Sequence, residues 1–272
     1  MADEPDDLTA PAESPEMNWP EIVRRVRART PARLLAGRAG AAYRTQTQIE
    51  LRRAHAAAHD AVRAELDMER DFGAAFIQKW KLFEVSTRAT SKDEYLLRPD
   101  LGRCFREGSR GELATRIPFA NDLQIAIGDG LSVTAVSKQV PPLLQLLYEH
   151  AQQRGWRTGQ PFVIHHCRVG ILNEIGELLA PRVAVLLIGE RPGLATAESL
   201  SAYMVYKPQN NQTDANRNLI SNIHARGVSA PDAAARIINL AARMMAAGAS
   251  GYQLREELSA HAIHNLRTGD LS

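Results

Sequence analysis

The run VAVLLIG at 183–189, continued by ERPG at 190–193, decides how this chain is read. Apolar residues without alternation describe a strand buried on both faces, and the abrupt change to Glu190, Arg191, Pro192 and Gly193 ends it at a turn. Such a strand needs neighbours beside it and a layer above and below. The flanking sequence supplies both. Upstream, LQIAI (123–127) is an apolar strand cut off by GDG, and PFVIHHCRV (161–169) is a second; downstream, SAYMVYK (201–207) is another. Helical periodicity fills the intervals at 132–154 and 172–179. It returns at 230–247, where Ile237, Ile238, Leu240 and Met244 mark an inner face. Strands alternating with helices predict an α/β fold: a mainly parallel, Rossmann-like sheet with helices on both faces.

Further from the central run the character changes. Residues 1–16 hold six carboxylates, three prolines and no Lys or Arg, the composition of a disordered acidic tail. A helix is expected to start near Asn18 as N-cap, with Pro20 in its first turn and Ile22, Val23 and Val26 on one face. A second is expected over 45–66, with Ile49, Leu51 and Val62 inward, and a third over 71–80. The expected organisation is a tail (1–16), a helical N-terminal region (17–110) and an α/β domain (111–272).

Composition narrows the function classes. The 272 residues are 44% hydrophobic and 24% charged, so the chain can build a real core. With 33 basic and 31 acidic residues the formal net charge is +2, which provides no long-range field to gather nucleic acid or anionic lipid. The Arg-rich stretch 24–53 reads as a helical surface, and 6% aromatics leave few stacking platforms for single strands. Two cysteines make no disulfide framework and fit a reducing compartment. A basic segment followed by an apolar run is absent at the start, and so is any run of about 18 apolar residues. A cytoplasmic protein, with neither membrane nor nucleic acid as partner, is expected.

In sheets of this kind ligands bind at the carboxyl ends of the strands. That selects four loops: 128–132, 168–173, 189–194 and 209–227. GDGLS (128–132) reads as a strand–helix turn capped by Ser132, or else as a helix start that holds an anion. His165, His166 and Cys167 alternate in direction along a strand, so at most His165 and Cys167 share a face. Two ligands do not make a zinc site, and packing is the favoured reading. His261 and His264 are read as an exposed helical tail. Glu190 is an acceptor-only group at the ligand edge, or else half of a structural pair with Arg191. Residues 209–222 are dense in Asn and Gln, suited to a neutral polar ligand or to a plain polar loop. NIHARG (222–227) nearly matches the DxHxxG loop that presents a histidine to cobalt, but Asn222 stands where the orienting Asp would be. The sequence holds neither GxSxG nor a Walker pattern, and no catalytic residue or metal ligand is assigned. That favours a binding or accessory subunit.

Several of these segments, in order, resemble the small (light) subunit of ethanolamine ammonia-lyase. They are IGERPGL (188–194), ESLSAYMVYKP (198–208) and ISNIHARG (220–227). GRAG (37–40), RTQ (44–46), YLLRPDLGR (95–103), DGLS (129–132), the proline pair at 141–142, IGELL (175–179) and AARMMAAGASG (241–251) extend the resemblance across about 18–255. It implies conversion of ethanolamine to acetaldehyde and ammonia with adenosylcobalamin, through a 5′-deoxyadenosyl radical and migration of the amino group. It also implies a hetero-oligomer. A large barrel subunit would hold the substrate, and this chain would cap the cobalamin at the interface and be inactive alone. Three cofactor-binding positions carry over. Val169 matches the valine of a G-R-V turn, with Cys167 in place of its glycine. Glu190 is the glutamate of GERPG, and Leu219 stands where some members have cysteine. The family keeps dimethylbenzimidazole on cobalt, so the resemblance gives His224 no ligand role. Packaging in a protein-shelled microcompartment is not expected, since only the acidic tail precedes the first helix. The alternative is a cobalamin carrier or loading protein without lyase activity.

Overall fold

The computed structural model describes residues 20–28, 38–193, 196–254 and 256. The acidic tail, Asn18, Leu194, His261 and His264 lie outside them. Two compact units divide the chain, 1–50 and 51–272. In the first, helix α1 (Glu21–Ala28) precedes a two-stranded antiparallel ribbon of β1 (Arg38–Ala39) and β2 (Ala42–Tyr43). Helix α2 (Thr45–Arg63) begins in the first unit and ends in the second.

The second unit is a six-stranded sheet covered by helices. In chain order it contains α3 (Met68–Phe72), α4 (Ala74–Trp80), β3 (Glu84–Ser86), α5 (Lys92–Leu97), α6 (Glu107–Arg116), β4 (Leu123–Gly128), α7 (Val133–Gln153), β5 (Phe162–His165), α8 (Leu172–Leu179), β6 (Val183–Gly189), β7 (Leu200–Tyr206), β8 (Asn218–Ile223) and α9 (Ala230–Ala247). The strand order is β3-β5-β4-β6-β7-β8. The first four are mutually parallel, while β7 runs antiparallel to both β6 and β8. The mainly parallel sheet with helices on both faces is what the alternation of strands and helices predicts.

Burial follows the pattern that set the prediction. Every residue of β4 and β6 is buried. On one face Ile125, Ile127, Val185 and Leu187 pack with Val136, Leu143 and Leu147 of α7 and with Ile237 and Met244 of α9. On the other, Phe162, Ile164, Leu186 and Ile188 pack with Leu113 of α6 and with Leu172, Ile175 and Leu179 of α8. Helix α7 starts at Ser132, whose hydroxyl accepts from the Ala135 amide, and α9 is bounded by Ser229 and by Gly248 in the left-handed conformation.

Three elements differ from the sequence reading. The helix expected over 71–80 is two helices, because Gly73 (φ 77°) interrupts it. The stretch read as helical also contributes β3, whose three residues pair with β5. The span 209–227 is not one loop. Because β7 is reversed, its end at Tyr206 lies beside Val183 at the opposite edge of the sheet, and Asn218–Ile223 is the edge strand that returns. Among the described residues no helix is long and apolar enough to cross a membrane.

Candidate functional site

The strand order reverses at β4: the chain leaves it to one side for β5 and crosses back for β6. The loops that follow these three strands diverge there and leave a crevice. A buried carboxylate, Asp129, holds them together. Its Oδ1 accepts the amides of Gly130 (2.7 Å) and Cys167 (2.8 Å), and its Oδ2 accepts that of His166 (2.9 Å). Lys92, also buried, lies 3.7 Å from Asp129 Oδ2, donates to the Gly130 carbonyl and sits over the Tyr95 ring. The Leu131 amide donates to the Gly189 carbonyl, which ties the loop after β4 to the end of β6. This approach is so close that a Cβ on Gly130 (φ 58°) would meet Gly189 O at 2.5 Å.

These loops border a cleft of about 370 Å³, within the usual range for ligand sites. Val169, Glu190 and Leu219, brought from three separate segments, all line it. Its floor is a row of β7 and β8 side chains: Ser201, Tyr203, Leu219 and Ser221. The row exists because of alternation. Leu200, Ala202, Met204, Ile220 and Ile223 turn to the α7–α9 core. The intervening residues point the other way: Val205 is buried in the core built on α8 and Tyr203 packs against it, while Ser201, Tyr203, Leu219 and Ser221 border the cleft. Leu219 lies opposite Tyr203 in register and is 45% exposed, an apolar side chain shown to the cleft.

Glu190 does not pair with Arg191. Its Oε1 accepts the Ser201 hydroxyl (2.7 Å) and the Asn222 amide (2.9 Å), so the carboxylate is aimed by β7 and by the end of β8. Both bonds fall on Oε1, and Oε2 accepts neither of them. Val169 opens the turn Val169–Ile171 that leads into α8. Behind it, Cys167 is fully buried under Gly128, and burial pushes its thiol well above the ordinary value, with Asp129 adding to the effect. The left-handed residue of this turn is His166 (φ 56°), not Cys167, so a cysteine sits there without backbone strain.

The histidines are structurally engaged. His165 Nε2 lies 3.1 Å from Glu84, while His166 Nδ1 lies 3.1 Å from the Ala89 carbonyl. Buried His224 accepts the Arg226 amide at Nδ1, so its Nε2 carries the proton and donates to Asn222 Oδ1 at 2.7 Å. The near match to a cobalt-binding loop is thus a closed turn. No group of three or more His, Cys, Asp or Glu among the described residues could hold a metal ion.

Tyr95, Tyr203, Ser201 and Ser221 were not anticipated at the cleft. The alternation in SAYMVYK signals that Ser201 and Tyr203 share a face; Tyr95 is brought by α5 from the N-terminal part, where spacing gives no hint. Burial raises the Tyr95 and Tyr203 hydroxyls above their usual range, so both stay protonated donors.

Comparison with known proteins supplies the rest. A family model described as ethanolamine ammonia-lyase light chain (EutC) matches residues 20–255. The ethanolamine ammonia-lyase small subunit of Clostridioides difficile is 40% identical over 230 residues, covering 85% of this chain and 76% of that protein. The protein of the same name from Clostridium acetobutylicum is 37% identical over 235 residues, covering 86% and 95%. The one from Pseudomonas syringae pv. tomato is 35% identical over 269 residues, covering 97% and 92%.

Proposed function

The chain belongs to the ethanolamine ammonia-lyase light-chain family, and on that premise we propose that it acts as the small subunit of an adenosylcobalamin-dependent ethanolamine ammonia-lyase. It assembles with a large catalytic subunit in the cytoplasm and caps the cobalamin at their interface, while the partner holds ethanolamine. The observation that carries this reading is the convergence of Val169, Glu190 and Leu219 on one cleft at the switch point of the sheet.

The residues fit the edge of a corrinoid. The macrocycle rim is apolar and carries neutral amide arms, so it needs shape, hydrophobic contact and acceptors rather than counter-charges. Leu219 and Val169 supply apolar contact, Glu190 Oε2 accepts an amide N–H, and the Ser221 hydroxyl can donate or accept. At about 370 Å³ the cleft takes one side of so large a molecule and leaves the remainder to the partner. When bound, the cofactor supplies the radical chemistry that moves the amino group of ethanolamine and releases acetaldehyde and ammonia. This chain's part is to bind, orient and exclude water. Ser201 and the Asn222 amide fix the Glu190 rotamer before the ligand arrives, which lowers the cost of ordering it.

The test is ethanolamine turnover with adenosylcobalamin, with this chain alone, with a cognate large subunit, and with Glu190→Ala in the mixture. Turnover is expected only in the mixture. Glu190→Ala should assemble normally and bind cobalamin about tenfold more weakly, the loss of one charge-assisted hydrogen bond worth roughly 1.5 kcal/mol. Unchanged cofactor affinity in the assembled variant refutes the role of Glu190, and a verified complex that holds cobalamin but leaves ethanolamine intact refutes the lyase reading.

A further inference from the structure

Beside the first lobe of the cleft lies a second of about 690 Å³, and the two share Arg168, Val169 and Tyr203 as a common wall. The second lobe is lined by three arginines, Arg103, Arg168 and Arg217. Arg103 and Arg168 are held by a reciprocal fit between the turns Leu101–Arg103 and Val169–Ile171. The Arg168 amide donates to Gly102 O at 2.8 Å. A Cβ on Gly102 would meet Arg168 Cγ at 2.7 Å, and one on Gly170 would meet Arg103 Cγ at 2.9 Å. Each arginine stem therefore lies over the other turn's glycine, and a side chain at either glycine would displace it.

The donors outnumber their partners. The Arg103 side chain has neither an ion pair nor a hydrogen bond among the described residues. Arg168 stacks its guanidinium 4.1 Å over the Tyr95 ring and donates from one terminal nitrogen to Tyr95 O, but its buried Nε has no acceptor. The Arg217 side chain is only 5% exposed; it reaches Asp214 and Asn173 Oδ1, yet its Nε is also buried without an acceptor. The nearby carboxylates are already committed. Glu174 accepts from the Phe105 amide and from Arg110, and Asp214 pairs with Arg217. Three arginines on one lobe, one of them exposed and without a side-chain partner, leave an excess of positive charge and of donors that calls for an acceptor with many lone pairs.

We propose that the second lobe binds a tetrahedral phosphate oxyanion, held by Arg103, Arg168 and Arg217. Guanidinium forks match such an oxyanion in shape and charge, which a neutral amide ligand would not exploit. Its source is the phosphodiester in the nucleotide tail of cobalamin or free inorganic phosphate. Only the first source rests on the function proposed above, and it follows from continuity: a ligand whose corrin rim lies at Glu190 has its tail within reach of the shared wall.

The experiment begins with calorimetric titration of inorganic phosphate into the 272-residue chain, compared with the exposed-side-chain variant Arg103→Gln, which should leave folding intact. Saturable binding that weakens about tenfold in the variant is expected. No binding to the original chain, or equal binding by both, overturns the proposal. A second arm compares cobalamin with cobinamide, which lacks the nucleotide and its phosphate, on the chain assembled with a large subunit. If the tail is the source, Arg103→Gln reduces the preference for cobalamin over cobinamide about tenfold and leaves cobinamide binding unchanged. A preference that survives while the phosphate titration weakens assigns the lobe to free phosphate. Failure of both corrinoids to bind, with phosphate still titrating, refutes the cobalamin reading and leaves the anion site standing.

Discussion

Asp129 is the residue whose loss should cost most outside the apolar core. It is 1% exposed and serves three backbone amides and the buried Lys92. Replacement by Ala strands a buried ammonium, which costs about 3–5 kcal/mol on its own. The orphaned amides add roughly 1–3 kcal/mol each, less than additively because water can enter the space left. A loss near 5 kcal/mol follows, against a total of about 5–15 kcal/mol for a domain. Asp129→Asn should cost about half as much. With its amide oxygen placed at Oδ1 it keeps Gly130 and Cys167, and only His166 and Lys92 then face a donor. Lys92→Met leaves Asp129 bonded to all three amides, and its cost should shrink by about 2 kcal/mol in the Asp129→Asn background, since the pair is already broken there. Urea denaturation of the original chain, the three single variants and the Asp129→Asn/Lys92→Met double variant measures all these values. If Asp129→Ala lies within about 1 kcal/mol of the original chain, or if the cycle shows no coupling, the carboxylate does not hold the loops together.

Three further outcomes are expected. The Cys167 thiol should resist alkylation in the native chain and react fully after denaturation, because burial raises its pKa from the ordinary 9.0. The sign for stability follows: above about pH 9 the unfolded chain releases a thiol proton that the native state keeps. Stability should therefore fall as pH rises, and fall less in Cys167→Ala, as read from urea midpoints at pH 8 and 10. Gly189→Ala would place a Cβ 2.0 Å from Ser132 O, backbone that cannot yield; a loss of about 2–4 kcal/mol in thermal or urea denaturation, with wider separation of the β4 and β6 loops, is expected. Leu219→Ala should change stability by less than about 1 kcal/mol, since the side chain is 45% exposed. It should nevertheless weaken cobalamin binding by the assembled protein, which Leu219→Cys restores in part; equal binding by all three would remove Leu219 from the contact.

What the sequence made legible was set by local pattern. VAVLLIG is a continuous apolar run and LQIAIG is one broken only by Gln124, and both are wholly buried strands. Glu190 follows directly from the end of the first, so its place at the ligand edge needed only the rule about carboxyl ends. The strand β8 was hidden because its pattern is half polar: in NLISNI only Ile220 and Ile223 are buried, and the flanking Asn and Gln residues read as loop. The strand β3 is too short for periodicity to register. Lys92 and Asp129 are 37 positions apart, and nothing in either neighbourhood announces a partner. The second arginine lobe was illegible for the same reason, since Arg103, Arg168 and Arg217 meet only after the turns at 101–103 and 169–171 have fitted together.

The single reversed strand explains why the cleft extends so far across the sheet. Parallel neighbours require a crossover, and here the crossovers are α7 and α8, which cover the faces of β4, β5 and β6. The antiparallel steps from β6 to β7 and from β7 to β8 need no helix. On the α7 side α9 returns to cover these strands, with Ile237 and Met244 in the same core as Met204 and Ile220. On the α8 side the cover reaches only Val205 and part of Tyr203, and Ser201, Tyr203, Leu219 and Ser221 remain as the floor of the cleft. A parallel β7 would have brought a second crossover helix over one face or the other. The reversal thus leaves a partly covered strip of sheet beside the switch point, and Glu190 stands at the junction of the two, held by Ser201 of the reversed β7 and by the Asn222 amide of β8.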